Sequence, residues 1–208
     1  MKIAIIGSGI SGLTCAYMLN RKHDITIFEK NDYIGGHTHT HEIEHNGIKW
    51  NVDSGFIVYN ERTYPNFINI LDKLGVKRHL TRMGFSVKSE KNDLEYAGHS
   101  LNGLFAQRSN LVRPSFIRML RSMWRFNSEA RADLKGLDSE TTLGDYLKSN
   151  GYPEEFIQHF IVPIGAAIWS TVPHLMMDMP AIFFIRFFEN HGLLQIVDRP
   201  NWWVITGG

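Results

Sequence analysis

The sequence of 208 residues is almost without cysteine: Cys15 stands alone, so no disulfide can close within the chain, and a reducing compartment suits it. Neither sign of charge is in excess. With 22 basic and 21 acidic residues the formal net charge is +1, which leaves no global field for nucleic acid or any other polyanion. Long apolar runs are missing as well. Only Ile3, Ala4, Ile5 and Ile6 precede the first glycine, too few for a signal-peptide core, and a cytoplasmic location is expected. The longest uncharged run, residues 156–177, carries Pro163, Pro173, Gln158, His159 and His174. It reads as buried helices broken by proline rather than as a membrane span. Disorder is excluded too, because 43% of the residues are hydrophobic, enough for one sizeable core or two small ones.

What the chain does have stands at its start. Residues 2–6 read as a short apolar strand, Gly7-Ser8-Gly9-Ile10-Ser11-Gly12 as a glycine-rich turn, and residues 24–29 as a second strand. A helix over about residues 9–20 is predicted between them, turning Ile10, Leu13, Ala16 and Tyr17 to the sheet. This order predicts a dinucleotide site. The first glycine permits a tight turn, the second lets backbone approach a pyrophosphate, and Gly12 lets the helix pack on the strand. Unpaired N–H groups at the helix start, those of Ile10 and Ser11 among them, suit phosphate. Glu29 falls about twenty residues beyond the glycines, where a carboxylate accepts from a ribose hydroxyl. The second strand, Ile25-Thr26-Ile27-Phe28, is apolar enough to be covered on both faces of a parallel sheet.

After Glu29 comes Lys30-Asn31-Asp32-Tyr33-Ile34-Gly35-Gly36-His37-Thr38. A fingerprint glycine turn, a strand ending in Glu and a following glycine pair resemble the N-terminal signature of the flavin-containing amine oxidase superfamily. That resemblance implies FAD, with Gly35 and Gly36 approaching the dinucleotide. His37 stands where the family has arginine, so an imidazole replaces a fixed charge. Lys30 and Thr38 flank the same segment.

Asn46-Gly47, between residues 39–45 and 48–52, is a hairpin signal, with Ile48, Trp50 and Val52 on one face. His37, His39 and His41 alternate along this strand. Glu42 and Glu44 alternate away from them, so the ligands do not converge and no metal site is expected. The block at residues 53–67, Asp-Ser-Gly-Phe-Ile-Val-Tyr-Asn-Glu-Arg-Thr-Tyr-Pro-Asn-Phe, followed by Met83-Gly84-Phe85-Ser86-Val87, narrows the resemblance. It is similar to a subgroup of NAD/FAD-binding oxidoreductases associated with cyclopropane fatty acid synthase-like methyltransferases. Gly55 is expected to let backbone approach the flavin. Phe56 or Tyr59 would border the ring, or both would be core, and Asp53 could equally cap a turn.

A helix is predicted over residues 64–74, with Phe67, Ile68, Leu71 and Leu74 on one face and Gly75 as its stop. Strands at residues 85–88 and 94–97 follow, then a helix from Pro114 with an apolar stripe of Ile117, Leu120 and Trp124 beside Arg118, Arg121 and Arg125. Such a basic helix suits peripheral membrane contact, an acidic substrate or an ordinary solvated surface. Thr142 is a cap for a helix ending at Gly151, and helices over residues 154–169 and 177–190 bring Trp169, Phe183, Phe184, Phe187 and Phe188 into a core or a channel wall.

These readings give an α/β fold: a Rossmann-like FAD-binding domain with a mixed α+β, largely helical substrate domain. The boundaries are 1–78 for the first segment of the FAD-binding domain, 79–200 for the first segment of the substrate domain, and 201–208 for a return to the former. Because the Gly207-Gly208 pair follows a strand with nothing after it, that strand is expected to lie unpaired and the chain to be an N-terminal fragment. The resemblance implies an FAD-dependent oxidoreductase that takes a hydride from an organic, lipid-like or otherwise hydrophobic small molecule. Two rivals stand beside it: a non-catalytic dinucleotide-binding subunit partnering a membrane or a methyltransferase, and a nicotinamide enzyme.

Overall fold

The computed structural model describes residues 1–169, 171–195 and 199–208; Ser170, within the long uncharged run, and Ile196, Val197 and Asp198 lie outside the described residues. The chain divides into two compact units, Met1–Thr81 with Asn201–Gly208, and Arg82–Pro200.

The first unit opens with β1 (Lys2–Ile6), α1 (Ile10–Leu19) and β2 (Asp24–Phe28), the two strands pairing in parallel with Lys2 opposite Asp24 and Ile6 opposite Phe28. A hairpin follows, β3 (His39–His45) and β4 (Ile48–Gly55), turning on Asn46 and Gly47, both at positive φ. That is the mirror-image turn whose twist matches the strands it joins. Next come β5 (Tyr59–Asn60), α2 (Pro65–Leu74) and β6 (Arg78–Thr81). Proline opens α2, and Gly75, at φ +67, ends it in the left-handed conformation.

The second unit carries the larger core. Its strands β7 (Ser86–Ser89) and β8 (Leu94–Ala97) form a hairpin, and α3 (Leu101–Leu104) and a 3-10 turn (Arg108–Val112) lead into α4 (Pro114–Asp133). Around α4 lie α5 (Leu143–Ser149), α6 (Glu154–Phe156), a π-helical turn (Ile157–Ile161), α7 (Val162–Trp169), α8 (Pro173–Asp178) and α9 (Ala181–Asn190). Thr142 caps α5 through its hydroxyl, which accepts from the Asp145 N–H at 3.1 Å. Phe126 is the hub of an aromatic core, with ring contacts to Tyr146, Tyr152, Phe156, Phe184 and Phe188. None of the described helices is long and apolar enough to cross a membrane.

The π-turn has a cause divided between Pro163 and a tyrosine distant in sequence. In an α-helix the His159 carbonyl would accept from residue 163, but Pro163 has no N–H. The buried Tyr96 hydroxyl supplies a donor at 2.6 Å, and burial raises its pKa, so it stays protonated and able to donate.

The last strand, β9 (Trp202–Ile205), returns to the first unit. It lies between β5 and β6 and pairs antiparallel with both, Trp203 opposite Tyr59 and Leu80. The expected unpaired end is therefore corrected. Trp203 Nε1 and Asn201 Nδ2 also donate to the Glu61 carboxylate at 2.7 and 2.9 Å, and Asn51 Nδ2 donates to the Gly207 carbonyl at 2.8 Å.

Three packing expectations are corrected as well. Within α1, Ile10 and Leu13 are exposed and no residue is buried. The faces of β2 are largely open, with Ile27 and Phe28 exposed. On α4 the core face is Phe116, Met119, Phe126 and Ala130, leaving Ile117 and Leu120 half-buried and Trp124 exposed. Two adjacent sides of α4 are apolar, so periodicity admitted either as the inner one.

Candidate functional site

The glycine turn begins at Gly7, whose φ of +93° gives the tight reversal out of β1, and whose N–H donates to the Phe28 carbonyl of β2 at 2.7 Å. Gly12 then brings α1 against that turn: a Cβ there would lie 2.0 Å from the Gly7 carbonyl oxygen. No side chain caps α1, and the first turn closes with the Leu13 N–H donating to the Gly9 carbonyl at 3.0 Å. The N–H groups of Ile10, Ser11 and Gly12 therefore stand at an uncapped helix start, and the helix dipole adds partial positive charge.

The second glycine pair docks onto the first turn. Gly35 bridges to Gly9, donating to the Ser8 carbonyl at 3.0 Å, and a Cβ on Gly36 would stand 2.9 Å from the Gly9 Cα. Thr38 closes a tight turn by donating to the Gly35 carbonyl at 3.2 Å. His37 follows, exposed, and its backbone meets the end of β4, where a Cβ on Gly55 would come within 2.0 Å of the His37 carbonyl oxygen. Residues far apart in sequence thus form one continuous backbone cradle of Gly7, Ser8, Gly9, Gly35, Gly36, His37 and Gly55.

Glu29 is tied into it. Oε2 accepts from the Ser8 N–H at 2.8 Å and the Ser8 hydroxyl at 2.6 Å, while Oε1 accepts from the N–H groups of Lys30 at 2.8 Å and Asn31 at 2.9 Å. These bonds, those of Asn31 and Ser8 foremost, hold the carboxyl at a pKa of about 2, below the ordinary 4.5. Lys30 contributes its backbone here and leaves its ammonium group exposed.

Phe56 has φ +51°, an unusual conformation for a bulky residue, with edge-on contacts to Tyr64 and Phe67 at centroid distances of 5.8 and 5.3 Å. It is half-exposed beside Gly55. Tyr59 is buried against Phe67, so it is core rather than an exposed border. Asp53 caps no turn. It sits within β4 and accepts from the Thr40 hydroxyl at 2.6 Å. The rings of Tyr33 and His39 stack at 4.4 Å, and those of His39 and His41 lie 4.1 Å apart. Among the described residues no group of three or more His, Cys, Asp or Glu could hold a metal ion.

The contact of Gly36 with Gly9 and that of Gly55 with His37 were beyond sequence reasoning about individual motifs. Their signal was the glycine type alone.

Residues 5–74 match the family model of the NAD(P)-binding Rossmann-like domain. Protoporphyrinogen oxidase 2 (chloroplastic/mitochondrial) of Arabidopsis thaliana is 24% identical over 184 residues, which is 83% of this chain and 33% of that protein. The 1-hydroxycarotenoid 3,4-desaturase of Flavobacterium sp. (strain P99-3) is 39% identical over 74 residues, 35% of this chain and 14% of the enzyme. Among solved structures, putrescine oxidase bound to putrescine matches the whole chain with a TM-score of 0.61 at 20% identity, over 47% of its own length. Cyclohexylamine oxidase from Brevibacterium oxydans IH-35A matches with 0.63 at 20%, over 46% of its length. The chain therefore has the fold of the portions aligned in these oxidases, and it spans a third or less of the curated relatives described.

Proposed function

We propose that this chain is the dinucleotide-binding part of an FAD-dependent oxidoreductase of the amine oxidase and desaturase type. The observation that carries the reading is the convergence of both glycine segments, Gly55 and Glu29 on one cradle. A site for a mononucleotide phosphate would need only the first turn. The named relatives, oxidases and desaturases alike, support the same class.

In this reading Gly7, Ser8, Gly9, Ile10, Ser11 and Gly12 hold the pyrophosphate through backbone N–H groups and the α1 dipole. Glu29 accepts from the adenosine ribose, and its negative charge disfavours a 2′-phosphate at that place. Since the four bonds to Glu29 already occupy its oxygens, the Ser8 hydroxyl turns away when a ribose hydroxyl arrives. Lys30, Gly35, Gly36, His37 and Thr38 border the phosphates from the opposite side, and Gly55 and Phe56 lie where the cradle continues toward a ring. The residues fit the group because the absence of a Cβ at Gly12, Gly36 and Gly55, where one would collide with neighbouring backbone, lets the glycine segments pack together around the α1 start. When bound, a flavin supplies a ring nitrogen that accepts a hydride from substrate. The role of the chain is to bind, orient and exclude water.

The second unit is the substrate domain in this proposal, and the substrate a small, hydrophobic organic molecule, a class supported by the carotenoid names among the relatives. The test is to denature the purified protein and identify the nucleotide released. FAD is expected. NAD or NADP in its place would contradict the cofactor, and a bound flavin that no reductant or organic substrate reduces would favour a non-catalytic subunit.

A further inference from the structure

Between Glu95 and Glu129 the chain has no acidic residue but has Arg108, Arg113, Arg118, Arg121 and Arg125. The structure sorts these arginines. Arg118 pairs with Glu155, and Arg125 pairs with Glu129 and lies over the Tyr152 ring. The other three have no counter-charge. Arg108 donates to the Phe105 carbonyl and to Asn102 Oδ1 at 3.0 and 2.9 Å, and Arg113 to the carbonyls of Asp93 and Asn92, both at 2.6 Å. These acceptors are neutral, so both guanidinium charges stay unneutralised. Arg121 has no hydrogen bond or ion pair among the described residues.

Between Arg108 and Arg113 the 3-10 turn pushes two adjacent aliphatic side chains into solvent. Leu111 is 55% exposed and Val112 85%. Arg108 ties this turn to α3, whose Leu101 is 77% exposed, and α4 starts directly after Arg113. Farther along the outer side of α4 stand Arg121 and Trp124, the latter 68% exposed. Water gains nothing from a protruding Leu-Val pair, and a lone hydrophobic residue would pass without comment. Here the protruding pair is bracketed by unneutralised cations, with an exposed tryptophan farther along α4, and that combination matches the boundary layer of an anionic bilayer.

We propose that this corner of the second unit, the 3-10 turn with α3 and the first half of α4, docks on an anionic membrane surface, Leu111 and Val112 entering the headgroup boundary. The inference goes beyond the oxidoreductase reading and does not depend on it. A lipid surface is chosen over a protein partner on charge complementarity, since Arg108, Arg113 and Arg121 together face no carboxylate within ion-pairing distance among the described residues.

The experiment is co-sedimentation of the purified chain with vesicles of phosphatidylcholine alone and of phosphatidylcholine with one quarter phosphatidylglycerol. Binding to the anionic vesicles alone, reversed by high salt, is expected. The double variant Leu111→Asp with Val112→Asp should lower the partition by about tenfold or more, with far-ultraviolet circular dichroism unchanged. Arg121→Glu, on an exposed side chain, should lower it by about fivefold and serves if the double variant fails to fold. Three results would overturn the proposal: no partition to anionic vesicles, partition equal in the wild type and both variants, or a wild-type dimer that the double variant dissociates, which would assign the corner to a second copy.

Discussion

Glu29 shows how one side chain ties the fold together beside the proposed site. Its carboxylate draws the start of α1 and the end of β2 together through Ser8, and the same bonds lower its pKa to about 2. The folded pKa lies below the ordinary 4.5, so this contribution to stability is fully present above pH 4.5 and is lost as pH falls toward 2. Glu29→Gln should therefore flatten the acid limb of stability in that window and lower stability by a constant amount near neutrality. Urea melts at stepped pH check this, and an unchanged acid limb would contradict it. The acid was legible from its distance to the glycines. Its partner was not, because Ser8 meets Glu29 only once the β1–β2 register is set. Gly36 and Gly55 were expected to let backbone approach a cofactor; their close contacts with Gly9 and the His37 backbone were not legible, because they depend on tertiary folding.

Among the elements, hairpins and helix ends were the most legible. Asn46-Gly47, Gly75 and Thr142 act where local chemistry puts them, because each satisfies backbone groups within a few residues. The π-turn was not, since its cause is divided between Pro163 and Tyr96, which is far away in sequence. Tyr96→Phe leaves the His159 carbonyl with one donor fewer in a buried setting and should cost about 1–3 kcal/mol. Pro163→Ala restores a backbone N–H one helical turn on. The double variant should then lose less stability than the sum of the two single changes, as measured by denaturant unfolding; strict additivity would contradict this account of the turn. The inner face of α4 was misread for a different reason. With apolar residues on two adjacent sides, the packing of α6, α9 and the π-turn decides which side is buried.

For the whole molecule, the two units differ in kind. The second has a continuous aromatic core around Phe126, whereas the first is built of small sheets with exposed Ile6, Phe28, Ile34 and Trp50. A dye that fluoresces on exposed apolar surface should report the first unit, and its signal should fall on replacing Phe28 and Trp50 with Ser. The fold class was legible as a whole because strand, glycine turn, helix, strand and acid occur in order, while the three-stranded sheet of β5, β9 and β6 was not, since its central strand comes from the far end of the chain. The central claim is that the cradle binds FAD. Titration of the purified chain with FAD, followed by flavin fluorescence, tests it most directly. Saturable binding is predicted, weakened by about ten- to a hundredfold in Glu29→Ala and competed by ADP; absence of binding to FAD by a folded chain, or equal binding by Glu29→Ala, would contradict it.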